Sequence, residues 1–153
     1  MRAHAAVLLL AVVGCASPTA PSDRAQLEQA RERWAAQGGD SYSFELERDC
    51  FCLLAGRRIS ITVENGAVTT AEDANSKDTI AQTFLVYLLT VPDLFDLISS
   101  ALDSGVAALS VSYDRLYGYP THIAIDYSAT VADDELALTA SNLVLHPALG
   151  AAR

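Results

Sequence analysis

The sequence predicts an α+β domain: an antiparallel sheet of about six strands in α-β-β-β-α-β-β-β order, with two helices packed on one face. Three observations predict it. Six stretches alternate apolar and polar residues with the period of two that strands require. Two other stretches repeat apolar residues at helical spacing. Short turns join many of the strands, which favours antiparallel pairing, and each amphipathic helix needs an apolar sheet face to cover.

The two helical stretches carry start and stop signals. The first helix is predicted over about Asp23 to Gln37, because Asp23 and Gln26 have the spacing of a capping box. The second is predicted to begin after Thr90, whose hydroxyl can cap it, and to end at Gly105.

Six strands are predicted from the alternating stretches. In chain order they are Tyr42–Cys52, Ile59–Glu64, Ala67–Glu72, Leu109–Tyr113, Ile123–Tyr127 and Leu136–Ala140. Asn65-Gly66 favours a type I′ hairpin turn, since both central residues of that turn need positive φ. The apolar run at positions 80–89 has no clear period, and we interpret it as a helical turn or an ordered loop packed on the core.

The N-terminus has the form of a bacterial lipoprotein signal. An apolar segment from Ala5 to Val13 follows a weakly positive start and is too short to span a bilayer. Val12-Val13-Gly14-Cys15 resembles a lipobox, in which the cysteine receives a diacylglyceryl group. We therefore expect a signal peptide over residues 1–14, a lipidated Cys15 with a flexible tether over 15–22, and one domain over 23–148. An ordinary secretory signal that carries a cysteine is the alternative.

Charge and motifs narrow the class of protein. The chain has 10 basic and 19 acidic side chains, a net charge of −9, which argues against nucleic acid and against electrostatic binding to anionic lipid. Its predicted membrane contact is the lipid on Cys15, which places it in the cell envelope on the extracytoplasmic side, at the outer membrane in a Gram-negative cell. No catalytic motif occurs in the sequence, so no enzyme activity and no cofactor are expected.

Cys50 and Cys52 are the cysteines left once Cys15 is assigned to lipid. In an oxidising compartment, such a pair favours a disulfide. Residues two apart on an extended strand have Cα atoms roughly 6.5–7 Å apart, at the limit for a disulfide, so the bond requires a bulge or a local turn. Three interpretations stay open: a structural local disulfide, two reduced core cysteines, or a redox or soft-metal Cys-x-Cys site.

Tyrosines and a turn form the candidate partner surface. Tyr117 and Tyr119 flank Gly118, and exposed aromatic side chains on a rigid loop suit partner binding. The alternative is a structural turn whose tyrosine rings cover the sheet.

The acidic residues before the last strand and two histidines are the candidate metal ligands of the sequence, and we predict no metal site at either. Asp126 and Asp133-Asp134-Glu135 bracket the turn before the last strand, and we interpret them as a solvated acidic turn rather than a calcium loop, because the gap between them has no glycine. His122 and His146 lack a paired ligand motif and are expected at the surface or at strand edges.

A set of short pieces spans about Arg33 to Leu145. The pieces are Trp34, Tyr42-Ser43-Phe44, Cys50-Phe51-Cys52, Val63-Glu64-Asn65-Gly66, Leu94-Phe95, Tyr113-Asp114, Gly118-Tyr119-Pro120, Ile125-Asp126 and Asp133-Asp134-Glu135. Together they resemble the exported bacterial proteins of the domain-of-unknown-function 6174 family. The resemblance implies a fold and an exported location, with many lipoproteins among the members, and no established activity.

These observations predict a lipid-anchored envelope protein that acts as a binding or structural module, with a possible envelope protein as its partner. A protein of a different class is the alternative, one that handles copper or exchanges disulfides through Cys50 and Cys52.

Overall fold

The computed structural model describes residues 22–147, so the predicted signal peptide, Cys15 and the tether up to residue 21 lie outside the described residues. The elements are α1 (Asp23–Gln37), β1 (Tyr42–Asp49), β2 (Arg58–Glu64), β3 (Ala67–Asp73), a 3-10 helix (Gln82–Tyr87), α2 (Val91–Ser104), β4 (Ala108–Tyr113), β5 (Pro120–Asp126) and β6 (Leu136–Leu145). The predicted α+β class and the order of helices and strands are confirmed.

The six strands form one antiparallel sheet in the order β3-β2-β1-β6-β5-β4. Each half of the chain makes a three-stranded meander, and β1 joins the two by pairing with β6. That pairing brings the end of β1 beside the start of β6, with Asp49 opposite Ala137, and Leu136 in turn lies opposite Ile125 near the end of β5. One end of the sheet therefore collects loops from both halves.

The core lies between one face of the sheet and the two helices. Alternate residues of β1 and β2 are buried on this face, as the period of two predicts. The helices add Leu27 and Trp34 from α1, and Leu94 and Ile98 from α2. Full burial of one such aliphatic or aromatic side chain contributes roughly 1.5–3 kcal/mol, so this shared face holds the helices on the sheet.

The observed cap of α2 is the predicted one, and the observed cap of α1 is not. Thr90 caps α2, as predicted, and forms a capping box with Asp93, while Gly105 ends the helix in the left-handed region at φ 65°. The predicted cap of α1 is wrong: Ser22, one residue before Asp23, accepts the N–H of Ala25. A serine hydroxyl and an aspartate can both accept such a bond, so the sequence alone left two registers for the same helix start.

The hairpin turn and the apolar run also take defined conformations. Asn65 and Gly66 have φ of 51° and 79°, the positive values that the predicted turn requires. The run at positions 80–89 contains the 3-10 helix, which agrees with the predicted helical turn. By length and composition, the stretch from Gln82 to Ser104 is apolar enough to cross a membrane, with a mean hydropathy of 1.6. Here it forms the 3-10 helix and α2, which bury apolar side chains in the core.

Strand β1 is shorter than predicted. It ends at Asp49, whereas the alternating pattern predicted a strand to about Cys52. The chain leaves the sheet because the N–H of Cys52 donates to the carbonyl of Cys50 at 2.9 Å, a three-residue turn that an extended strand does not allow.

Candidate functional site

A groove of about 480 Å³ opens at the end of the sheet where β1 ends and β6 begins. Its volume lies within the range of known ligand sites. Three segments that are far apart in sequence line it: the loop after β1, the 3-10 helix before α2, and the loop between β5 and β6. We call it the loop groove.

The loop after β1 supplies Cys50, Phe51 and Cys52. The sulfur atoms of the two cysteines are in direct contact, and their Cα atoms lie 5.3 Å apart, closer than on an extended strand. The N–H of Gly56 closes the loop by donating to the carbonyl of Arg48 at 2.7 Å. Phe51, at the tip, is 97% exposed. The loop thus holds an aromatic ring in solvent on a short, locally tied turn.

Neither cysteine lies in the core. Cys52 is exposed and Cys50 is partly buried, so the interpretation as two core cysteines is wrong. It depended on extending the alternation of β1 to position 52, and the turn at Cys50 ends that alternation.

The 3-10 helix supplies a second apolar wall. Leu85 is buried and anchors the helix to the core, while Val86 and Tyr87 project outward and are 79% and 55% exposed. A guanidinium nitrogen of Arg48, at the end of β1, donates to the carbonyl of Tyr87 at 2.6 Å. This bond ties the second wall to the strand that carries the Cys50-Phe51-Cys52 loop, and partial burial lowers the pKa of Arg48.

The loop between β5 and β6 supplies an acidic wall made of Asp133, Asp134 and Glu135. Burial raises the pKa of Asp134, and the nearby charges of Asp126 and Glu135 raise it further. One carboxylate oxygen of Asp134 and one of Asp126 are buried and have no hydrogen-bond partner among the described residues. The predicted acidic turn is therefore only partly solvated. Within residues 22–147, no group of three or more ligating side chains could hold a metal ion.

The predicted partner surface at Tyr117 and Tyr119 does not form. Tyr119 is 7% exposed and belongs to the core, and Tyr117 is partly buried against it. Gly118, at φ 82°, lies directly under the backbone of α1 at Ala30. The prediction of an exposed surface is wrong because α1 covers this turn, and the structural turn that was the alternative is what the structure has.

The two histidines are partly buried, and the expected place at the surface or at a strand edge does not hold for His122, which lies within the central strand β5. Nε2 of His146 is 3.2 Å from the hydroxyl of Ser43 across the β1–β6 pair, and His122 is paired with Ser112 and Thr139 in the sheet. His146 directly follows β6, and neither histidine lines the loop groove.

A family of unknown function, DUF6174, matches residues 26–145. The protein belongs to the DUF6174 family. The resemblance drawn from the short sequence pieces is thereby confirmed. No curated protein and no solved structure matches this DUF6174 chain.

Two walls of the groove in this DUF6174 protein carry residues that the sequence marks, Cys50-Phe51-Cys52 and Asp133-Asp134-Glu135. The wall of Val86 and Tyr87 belongs to no motif and lies in the apolar run at positions 80–89. The sequence does carry a signal for this wall, because Tyr87 and its neighbours form an apolar run without the period of a buried helix. An apolar run that cannot bury every side chain leaves some of them on the surface.

Proposed function

We propose that this protein is a lipid-anchored, extracytoplasmic binding module of the bacterial envelope, and that the loop groove holds a segment of another envelope protein. Phe51 is the observation that carries the proposal. Full burial of such a ring is worth roughly 1.5–3 kcal/mol, and the fold leaves it almost entirely in solvent. A partner that covers Phe51 would recover this free energy.

The grouping of exposed apolar side chains supports a site rather than a chance exposure. Single exposed apolar residues are common on protein surfaces and need no explanation. Here Phe51, Val86, Tyr87 and Tyr127 are all exposed, and all four line the loop groove. Aromatic side chains that converge on one concave surface are typical of binding hot spots.

Lipid anchoring is tested by labelling cells with a palmitate analogue and separating membranes from soluble protein. We expect the protein to carry the label and to sediment with membranes, and we expect Cys15→Ser to lose both properties. Cys50→Ser is the matched control, since it removes a cysteine from the exported domain and should keep the label. An unlabelled wild-type protein would show that the lipid anchor is wrong.

Partner binding is tested with a photo-crosslinking amino acid at position 51 in living cells. Position 116 is the control, because Leu116 is also an exposed apolar residue but lies at the opposite end of the sheet. We expect one envelope protein to crosslink at 51 and not at 116, and mass spectrometry identifies the segment. A synthetic copy of that segment should then bind the purified protein and bind Phe51→Ala at least about tenfold more weakly. Equal crosslinking at the two positions would contradict the proposal.

A second candidate is thiol-disulfide exchange at Cys50 and Cys52. The observation that favours it is the position of the two touching sulfur atoms, with Cys52 exposed at the rim of a groove that can hold a substrate. In this reaction a substrate thiolate attacks a sulfur of the Cys50–Cys52 bond, and a second substrate thiolate completes a substrate disulfide. The protein is left with two thiols.

The exchange reaction is tested by titrating free thiols before and after incubation with a reduced dithiol peptide. The function requires a bonded pair that the peptide reduces, with one peptide disulfide formed for each pair of protein thiols released. A bonded pair that the peptide leaves intact over hours would exclude exchange and leave a structural role for the bond.

A further inference from the structure

The walls of the loop groove are of two chemical kinds. Phe51 makes one wall apolar, Val86 and Tyr87 make the second apolar, and Asp133, Asp134 and Glu135 make the third acidic. A ligand that fills the groove therefore meets both kinds of surface at once, and its chemistry must satisfy both.

No ion pair among the described residues involves the acidic wall. Asp134 and Asp126 each have a buried carboxylate oxygen without a hydrogen-bond partner among the described residues. Arg48 is the basic residue among those that line the groove, and its guanidinium donates to the carbonyl of Tyr87. Asp133 and Glu135 are exposed on this wall, so a cationic donor from outside can reach their carboxylates and offset the repulsion among the acidic side chains. The raised pKa of Asp134 agrees with this electronegative setting.

The charges also disfavour other occupants. A second copy of the chain would bring a net charge of −9 against an acidic wall. Anionic lipid headgroups and nucleic acid would be repelled in the same way. A purely apolar segment would satisfy the wall at Phe51 and leave the carboxylates of Asp133 and Asp134 unpaired.

We infer that the loop groove binds a polypeptide segment that places an apolar or aromatic side chain beside a lysine or arginine. The apolar side chain packs between Phe51 and Val86, and the cation pairs with the carboxylates of Asp133, Asp134 and Glu135. This inference rests on the proposed binding function and adds the chemistry of the partner.

Three fluorescent decapeptides in a Gly-Ser background test the inference on the purified full-length protein. The first has a central Trp-Leu pair flanked by two lysines, the second has glutamates in place of the lysines, and the third has serines in place of Trp and Leu. By fluorescence anisotropy, we expect the first to bind about tenfold or more tightly than either of the others. We also expect this preference for lysine to shrink as salt rises, since exposed ion pairs are screened.

A double variant of the acidic wall and a control with the same change of charge test the pairing with lysine. Asp134→Asn with Glu135→Gln should weaken binding of the lysine peptide about five- to tenfold. The same variant should bind the glutamate peptide with unchanged or higher affinity. Glu28→Gln with Glu64→Gln removes the same charge at exposed sites outside the groove and should change neither affinity appreciably. Circular dichroism of each variant establishes that it is folded.

The outcomes distinguish this inference from the proposed function. If lysine and glutamate peptides bind equally and Phe51→Ala weakens both, the cation preference is wrong and the binding function stands. If none of the peptides binds, the inference is overturned, and the crosslink at position 51 decides the binding function alone. If Cys15→Ser protein floats with phosphatidylethanolamine vesicles in a manner that requires Phe51, the occupant is lipid and the peptide inference is overturned.

Discussion

The hydroxyl of Tyr42 accepts a hydrogen bond from the backbone N–H of Val91 at 2.9 Å, inside the core. Val91 is the first residue of α2, where backbone N–H groups have no partner within the helix. A side chain from β1 thus completes the start of a helix that is 49 residues away in sequence. Burial raises the pKa of Tyr42 to about 12, so the hydroxyl remains protonated at neutral pH.

We expect Tyr42→Phe to lower the free energy of unfolding by about 1–3 kcal/mol, because the N–H of Val91 would be buried without an acceptor. The phenylalanine ring keeps the edge-to-face contact with Trp34, whose ring centroid is 5.2 Å away. Urea denaturation measures the change. Tyr127→Phe is the control, and its exposed ring should change stability by no more than about 0.5 kcal/mol. Equal effects of the two changes would mean that the buried hydrogen bond contributes nothing.

The helix cap at Thr90 gives a second stability prediction. Its hydroxyl accepts the N–H of Asp93, and the carboxylate of Asp93 accepts the N–H of Thr90 at 2.8 Å. We expect Thr90→Ala to cost about 1–2 kcal/mol in urea denaturation, since the cap is buried. Ser22→Ala removes the exposed cap of α1 and should cost less, about 0.5–1 kcal/mol. A larger effect at Ser22 would contradict this ranking.

Gly118 and Gly56 form a matched pair for testing the close approach of α1. Both have positive φ, 82° and 69°, so alanine at either site carries a backbone cost of about 1–2 kcal/mol. A Cβ on Gly56 meets nothing within 4 Å, whereas one on Gly118 would overlap the carbonyl oxygen of Ala30 and lie 2.8 Å from Cβ of Arg33.

We therefore expect Gly118→Ala to lower the melting temperature clearly more than Gly56→Ala. The additional cost of the overlap is about 1–3 kcal/mol in the free energy of unfolding. If the two variants have the same melting temperature, the turn does not pack against α1 as described.

Asp73 gives the pH prediction. Its carboxylate accepts the N–H groups of Ser76 and Asn75 and the guanidinium of Arg57. The bond from Ser76, then those from Arg57 and Asn75, lower the pKa of Asp73 from 3.8 to about 2. The folded state therefore binds fewer protons than the unfolded state between these values, and the stabilisation is present above about pH 4 and lost as the pH falls through 2.

We expect the urea midpoint of the wild type to fall more steeply from pH 5 to pH 2 than that of Asp73→Asn, with the two curves converging near pH 2. Asp49→Asn, at an exposed position, should follow the wild-type slope. Parallel curves for the wild type and Asp73→Asn would show that the carboxylate of Asp73 does not contribute to the pH dependence of stability.

The alternation of residues predicted which face of β1 and β2 is buried, because side-chain direction in a strand depends only on position along it. Tyr42, Phe44 and Leu46 lie in the core as that pattern requires. The same pattern failed at Cys52. The backbone N–H of Cys52 donates to the carbonyl of Cys50, and this turn follows the end of the strand at Asp49. A pattern of apolar residues does not mark the residue at which the chain turns.

The partner surface could not be placed from sequence for a related reason. Gly118 signalled a turn correctly, but whether the adjacent Tyr119 is exposed depends on α1, which packs over that turn from far away in the chain. Conversely, Phe51 and Val86 line one groove, and the guanidinium of Arg48 donates to the carbonyl of Tyr87 beside it. No local pattern relates positions 51 and 86.

The sequence by itself determined the class of fold, the order of its elements, the helix ends near Thr90 and Gly105, and the family. These follow from periodicity, capping and turn chemistry, which act over a few neighbouring residues. Only the tertiary structure decided that Tyr119 is buried, that Phe51 stands in solvent, and that an acidic loop faces it across a groove. Those properties depend on which distant segments pack together, and burial is a property of the packed chain rather than of any one segment.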